Sequence, residues 1–336
     1  MNTEAKQYTK KDFTPDGAVK WCAGCGDFGI LAQTQKVLAE LGRSPDEFAF
    51  ISGIGCSSRF PYYVDTYGFH TIHGRALAIA TGTKVHNPDL SVWVAMGDGD
   101  GLSIGGNHFI HAVRRNVDMV CILMDNQIYG LTKGQFSPTS LRGQRTKTSP
   151  FGTTEDPMDP IAAALGVGGT FVARSTDRNP KHLQEMLRRA YAHKGFSLIH
   201  VLQNCIIFND ACFEDYVGKE KADHTLMLEH GKPMIFGKES DKAIVIDGFD
   251  PKVVNVADVD SADIAIHDEF AAGEGNANFV NSMSKGGGFP MPLGVIRQID
   301  TPAFDAANAA QLVDVTAKLG KGDLQTLLNS GDTWTV

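Results

Sequence analysis

Asp98 lies between two glycines, Gly97 and Gly99, directly after the apolar run 90–96. Asn126 follows a second apolar run, 117–124, in Asp125-Asn126-Gln127. If both runs are neighbouring parallel strands, they end on the same side of a sheet, which brings Asp98 and Asn126 together at its carboxyl edge. One carboxylate, one side-chain amide and nearby carbonyls make a hard oxygen site. Mg²⁺ suits such a site, because it takes few protein oxygens and completes its shell with water and phosphate. The glycines beside Asp98 let a diphosphate approach the backbone and the next helix N-terminus.

The cysteines offer a second chemistry. Cys22 and Cys25 form a CxxC with small residues between the thiols, and Cys56 and Cys205 each follow an apolar, strand-like segment. Four thiolates suit zinc or a [4Fe–4S] cluster. Cys212 is an alternative to Cys205. Cys121 lies inside an apolar run, where cysteines are usually inert. Around these groups stand further polar candidates. His73 precedes a helix-like stretch and is either a phosphate donor or a solvated cap. Arg59, Arg75 and Lys133 are possible anion contacts, each with a plain structural alternative. Asp27 is placed to cap the helix after the CxxC.

These groups need elements to hold them. The pattern predicts helices over 28–41, 75–86, 160–165 and 181–193, and strands over 47–51, 90–96, 117–124, 169–173 and 197–202. Alternating strands and helices indicate an α/β, doubly wound, mostly parallel sheet. Residues 1–20 read as an N-terminal arm and 21–215 as the cofactor-binding domain. Residues 216–336 read as a C-terminal extension, acidic at first and closing in helices near 305–319 and 322–329, that packs on the main domain or on a partner.

The 336 residues are 42% hydrophobic and 21% charged, with a net charge of −8. That composition suits a globular protein and argues against a nucleic-acid partner. No apolar run reaches membrane-spanning length, and the N-terminus lacks a signal-type apolar core. A cytoplasmic location is expected, where cysteines serve metals rather than disulfides.

The GDG turn, with about 25 residues separating it from Asn126, resembles the thiamine diphosphate motif. Together with WCAGCGDFG, GIGCSSRFP, HTIHGRA and DNQIYGLTKGQFSPTS, in this order, the chain resembles the β subunit of 2-oxoacid:ferredoxin oxidoreductases. The likeness is strong over 15–215 and looser beyond. It implies the thiamine-diphosphate-binding fold (pyrophosphate-binding domain), with thiamine diphosphate, Mg²⁺ and one [4Fe–4S] cluster. By the same resemblance Cys22, Cys25, Cys56 and Cys205 hold the cluster. Asp98, Asn126 and the carbonyl of Ile128 hold Mg²⁺, and His73, Gly97, Gly99, Gly130 and Leu131 contact the diphosphate. The loop carrying Cys56 and Ser57 lies beside the reactive ring.

The tetrapeptide TKGQ resembles members acting on 2-oxoglutarate or a broad range of 2-oxoacids, whereas pyruvate enzymes tend to carry TGGQ. Lys133, and second Arg59, are the candidates for a second substrate carboxylate. The resemblance further implies coenzyme A and ferredoxin as reactants. It implies an α subunit that supplies the glutamate activating the aminopyrimidine and the CoA site, in a doubled αβ assembly. Rival readings keep the enzyme and change the substrate to pyruvate or another 2-oxoacid. Others make it a non-redox thiamine diphosphate enzyme with structural zinc, or a zinc-stabilised assembly subunit.

Overall fold

The computed structural model describes residues 6–334. Its core is an eight-stranded sheet. The strands are β1 (Phe48–Ser52), β2 (Tyr67–His70), β3 (Ser91–Gly97), β4 (Met119–Asp125), β5 (Phe171–Thr176), β6 (Phe196–Leu202), β7 (Thr225–Met227) and β11 (Met291–Gln298), in the order β2-β1-β3-β4-β6-β5-β11-β7. The first six run parallel; β11 is antiparallel to β5, and β7 runs parallel to β11. Three more strands, β8 (Ile235–Phe236), β9 (Lys242–Asp247) and β10 (Asp250–Asn255), form a small antiparallel sheet.

The central strands are apolar on both faces because helices cover both. In β3, Val92, Val94 and Met96 face a core built with α2 (Ala76–His86), α3 (Gly106–Arg115) and α4 (Pro160–Leu165). Trp93 and Ala95 face the opposite core, built with α1 (Asp27–Glu40) and α5 (Pro180–Ala192). Cys121 is fully buried mid-strand in β4. The register pairs Gly97 with Met124 and Asp125 with Leu202, so the residues after β3, β4 and β6 emerge side by side.

Several elements differ from expectation. Edge strand β2, exposed along its length, was not anticipated, nor were β7 to β11. Two strands of the region beyond 216 therefore extend the main sheet. Asp27 does not cap α1: it is the first helical residue, Gly26 is the N-cap, and the Asp27 carboxylate turns inward, fully buried. The N-terminal segment carries a 3₁₀ turn, Lys10–Phe13, whose Phe13 is buried against Phe48. Residues 1–5 of the expected arm lie outside the described residues.

The helix Phe304–Leu319 is rooted by Asn116, which donates from Nδ2 to Thr301 Oγ1 at 3.0 Å, and by Asp305, which accepts from the Asp118 amide at 2.9 Å. Beyond that root, Leu312, Val313, Leu319, Leu324, Leu327 and Leu328 are all exposed.

One partly buried imidazole ties this fold to pH. His182, in the first turn of α5, has Nδ1 2.8 Å from Ser175 Oγ, and burial lowers its pKa to about 4, against a raising influence from Glu185. A histidine whose folded pKa is depressed must stay neutral in the fold, so its contribution is lost as pH falls from the unfolded value of 6.5 through about 4. His182→Gln should therefore flatten the acid limb of stability, recovering up to about 3 kcal/mol at pH 4 relative to pH 7, as read by urea titrations at both pH values.

Candidate active site

β3 delivers Asp98 to the carboxyl edge. Its buried carboxylate accepts from Ser137 Oγ at 2.5 Å and from Thr139 Oγ1 at 2.7 Å. Thr139 Oγ1 also lies 2.8 Å from Asp125 Oδ1. A hydroxyl carries one proton, so it can donate to only one of these two carboxylates at a time. Burial and the nearby Asp125 raise the Asp98 pKa to about 7, while the two hydroxyls pull it down. A cation at Asp98 would relieve that crowding.

Asp125 is held from its other side. His200 Nε2 lies 2.9 Å from Asp125 Oδ2, and Arg174 donates from Nε to His200 Nδ1 at 3.2 Å. The guanidinium has no acceptor, so His200 is the Nε2–H tautomer and donates to Asp125. A buried cation is thereby linked to a buried carboxylate through a neutral ring. Arg174 continues to Asn281 Oδ1 at 3.1 Å. This polar chain crosses three strands and reaches the helix Gly275–Ser282.

Asn126 follows Asp125. Its Nδ2 donates to Gln203 Oε1 at 2.7 Å, and its Oδ1 accepts from the Ile128 amide at 3.1 Å. Asp98, Asn126 and Ile128 line one cavity of about 80 Å³. The same cavity is lined by His73, Gly97, Gly99, Gly130 and Leu131, and by Cys56 and Ser57. His73 is held by a second carboxylate of the GDGDG run, Asp100, whose Oδ1 lies 2.5 Å from His73 Nδ1 and accepts from the Gly74 amide at 2.7 Å and the Ile54 amide at 3.1 Å. Asp100 Oδ2 is buried with no partner among the described residues. Arg75 lines no part of this cavity; its guanidinium is taken up by carbonyls, including that of Ile104 at 3.3 Å.

Gly99 has a steric reason, whereas a Cβ at Gly130 would make only ordinary contact with two sulfurs. A Cβ on Gly99 would stand 2.2 Å from Tyr129 Cε1, and Tyr129 donates its hydroxyl to the Gly99 carbonyl at 3.1 Å. A Cβ on Gly130 would stand 3.4 Å from Cys205 Sγ and 3.6 Å from Cys56 Sγ.

Those sulfurs belong to a second cavity of about 260 Å³, lined by Cys22, Cys25, Cys56 and Cys205 together with Arg59 and Lys133. Cys212 does not line it; its thiol faces the Asn126 carbonyl at 3.8 Å. The loop of Cys56 is pinned by Trp21, whose indole donates to the Cys56 carbonyl at 2.7 Å. Burial pushes the Cys56 thiol up to about 12, helped by Asp27, Cys205 and Cys22; burial also raises Cys25 and Cys205. Ionising these thiols therefore calls for a positive centre among them. Among the described residues no three His, Cys, Asp or Glu side chains converge as a single-ion site. The two cavities share Cys56, Asn126, Gly130 and Leu131 as a common wall.

Comparison with known proteins agrees with this geometry. Residues 53–201 match the family model described as the thiamine pyrophosphate enzyme C-terminal TPP binding domain. The chain is 47% identical over 329 residues to the 2-oxoglutarate oxidoreductase subunit KorB of Mycobacterium tuberculosis, covering 97% of this chain and 88% of that one. The chain belongs to the 2-oxoacid:ferredoxin oxidoreductase β-subunit family. It is 50% identical over 209 residues to a family β subunit from Sulfolobus sp, covering 62% of this chain and 68% of that one. Among solved structures, the 2-oxoglutarate:ferredoxin oxidoreductase of Magnetococcus marinus, with 2-oxoglutarate, coenzyme A and succinyl-CoA bound, aligns with a TM-score of 0.74. That alignment has 35% identity and covers 98% of each chain. The protein is thus a thiamine diphosphate-binding β subunit of a multisubunit oxidoreductase, built on the expected α/β fold.

Asp100, Asp125, Thr139, His200 and Gln203 were not singled out in the sequence. Asp100 and Asp125 stand inside motifs that were read, one residue or two from a chosen ligand. Thr139 stands inside DNQIYGLTKGQFSPTS as well, while His200 and Gln203 reach the site from β6 and the residue that follows it.

Gly99→Ala should displace the Tyr129 ring and close the turn against a diphosphate. The expected outcome is at least tenfold weaker binding of thiamine diphosphate with Mg²⁺, measured by the concentration dependence of the rise in Tm.

Proposed function

We propose that this chain, with a partner α subunit, converts 2-oxoglutarate and coenzyme A to succinyl-CoA and CO₂, sending two electrons one at a time through a [4Fe–4S] cluster to ferredoxin. The observation that carries the reading is the shared wall: a diphosphate-type cavity with Asp98 and Asn126 abuts a cavity ringed by four cysteines. When bound, thiamine diphosphate supplies the carbon nucleophile and electron sink that decarboxylation needs. Asp98, Asn126 and the Ile128 carbonyl hold Mg²⁺, and His73, Gly97, Gly99, Gly130 and Leu131 line the diphosphate. Asp100 holds His73 in place. Cys22, Cys25, Cys56 and Cys205 hold the cluster. Four cysteines around one cavity match the four thiolates that a [4Fe–4S] cluster takes. Anaerobic protein with stoichiometric iron and sulfide, brown and bleached by dithionite, is the expected result; a colourless zinc protein would end the redox reading. A cysteine-held cluster needs a reducing compartment, which the cytoplasm provides.

Support for 2-oxoglutarate comes from the relatives named for it and from Lys133. Lys133 holds φ of +75°, a conformation that favours glycine, and it lines the cysteine cavity beside Arg59. A charged side chain retained there serves an anionic group, and the second carboxylate of 2-oxoglutarate is such a group. Ser57 and Cys56 line the small cavity that would hold the thiamine diphosphate. Replacing Lys133 by Gly relieves the backbone, so stability should hold or rise. The ratio of kcat/KM for 2-oxoglutarate over pyruvate should fall at least tenfold, in line with about 1.5–3 kcal/mol for a charged hydrogen bond. An unchanged ratio would transfer the assignment to Arg59 or to a broader 2-oxoacid range.

The α subunit supplies the glutamate that activates the aminopyrimidine, and the CoA site, in a doubled αβ assembly. Its contact surface includes exposed Tyr67, Phe69, Ile72, Ile79 and Ile104. The C-terminal helices extend that contact: their root is hydrogen-bonded to the body while their leucines remain uncovered. Leu319→Glu with Leu327→Glu should leave the Tm of the β chain within about 1 °C, because surface changes seldom exceed about 0.5 kcal/mol. The same pair should weaken co-purification with the α subunit at least tenfold in a quantitative pull-down.

A further inference from the structure

Gln203 is the first residue after β6, and its side chain is buried. Its backbone amide donates to the Asp125 carbonyl at 2.8 Å, which extends the β4–β6 ladder to the edge where the site begins. Its side-chain amide has three partners. Nε2 donates to the Asn204 carbonyl at 2.7 Å and to Cys25 Sγ at 3.4 Å, while Oε1 accepts from Asn126 Nδ2 at 2.7 Å. Both donors and the acceptor of the amide are used. Flipping it would turn its oxygen toward a carbonyl and a sulfur, so the orientation is determined by its surroundings.

One amide therefore joins a residue of each cavity. We propose that Gln203 is a positioning residue that sets the reduction potential of the cluster and, at the same time, orients the magnesium ligand Asn126. The inference rests on the cluster and magnesium assignments made above. An N–H aimed at a ligating sulfur draws electron density from it. That stabilises the reduced, more negative centre more than the oxidised one and raises the potential. On the other side, Oε1 occupies the Asn126 amino group, which leaves Asn126 Oδ1 directed toward the cation. Partners of this kind are worth about 10–100-fold in metal affinity when removed.

Two substitutions separate the functions. Gln203→Leu loses the N–H to sulfur and the acceptor for Asn126. Gln203→Glu keeps an acceptor oxygen for Asn126 Nδ2 at the same reach but loses the N–H to sulfur. The test uses the assembled αβ enzyme, with iron and sulfide quantified in every sample. The cluster is titrated potentiometrically with detection by electron paramagnetic resonance. Mg²⁺ dependence of thiamine diphosphate binding is followed by Tm. Both variants should show a midpoint potential more negative than wild type. Only the leucine variant should need at least about tenfold more Mg²⁺ for half-saturation. Variants with a full cluster and an unchanged potential would overturn the inference, as would a lowered Tm with neither potential nor Mg²⁺ dependence moved. If one variant loses its cluster, the other still reads the potential. Wild-type enzyme without iron and sulfide would instead remove the cluster assignment, and the inference with it.

Discussion

The site depends on the parallel ladder of β1, β3, β4 and β6. Parallel hydrogen bonding makes all four strands end on one edge, and their register sets how far each protrudes. β1 leads to Cys56, β3 to Asp98, β4 to Asn126, and β6 to Gln203 and Cys205. Apart from Gln203 and Cys205, none of these residues is near the others in the chain. A slip of two residues between β3 and β4 would keep both cores apolar and yet take Asp98 away from Asn126. Burial on both faces sets the strands' depth in the core, and the ladder converts that depth into the placement of reactive groups.

The edge is also where the polar cost concentrates. Asp98, Asp100 and Asp125 are all buried within this small region. Each is compensated differently: Asp98 by two hydroxyls, Asp100 by backbone amides and His73, and Asp125 by His200 and, beyond it, Arg174. Such a cluster is costly in an empty protein and becomes favourable when a cation and a diphosphate occupy it. Part of the stability of this domain should accordingly come from its cofactor.

Much of this was legible in the sequence, for physical reasons that differ by element. Strands β3 and β4 announce themselves because a doubly covered parallel strand is a continuous apolar run, as in the segments around Trp93 and Ile122. The GDG turn and Asn126 are legible because their spacing is that of one strand–helix–strand unit. The short exposed β2 left no such signal: Tyr67-Gly68-Phe69-His70 has neither alternation nor a buried run. β11 was hidden by Pro290, Pro292 and Gly294, which punctuate it as a loop would be punctuated. Asp27 read as a cap from its position before the helix, but the carboxylate is buried beside Cys25 and Asp177 instead of turning back to the backbone. His200 and Gln203 were out of reach because their roles exist only across the sheet. A local reading sees a polar residue beside a strand end, and not which carboxylate or thiol stands opposite.

The partition between the two cavities is one backbone thick at Gly130, where the absent side chain leaves the Cys56 and Cys205 sulfurs close to the diphosphate side. A passage that thin needs no tethered carrier and no swinging arm. With thiamine diphosphate on one side and the proposed cluster on the other, the two groups would stand across a single shared wall. If the proposed groups fill both cavities, the span between them is set by the backbone at Gly130 and not by a moving part.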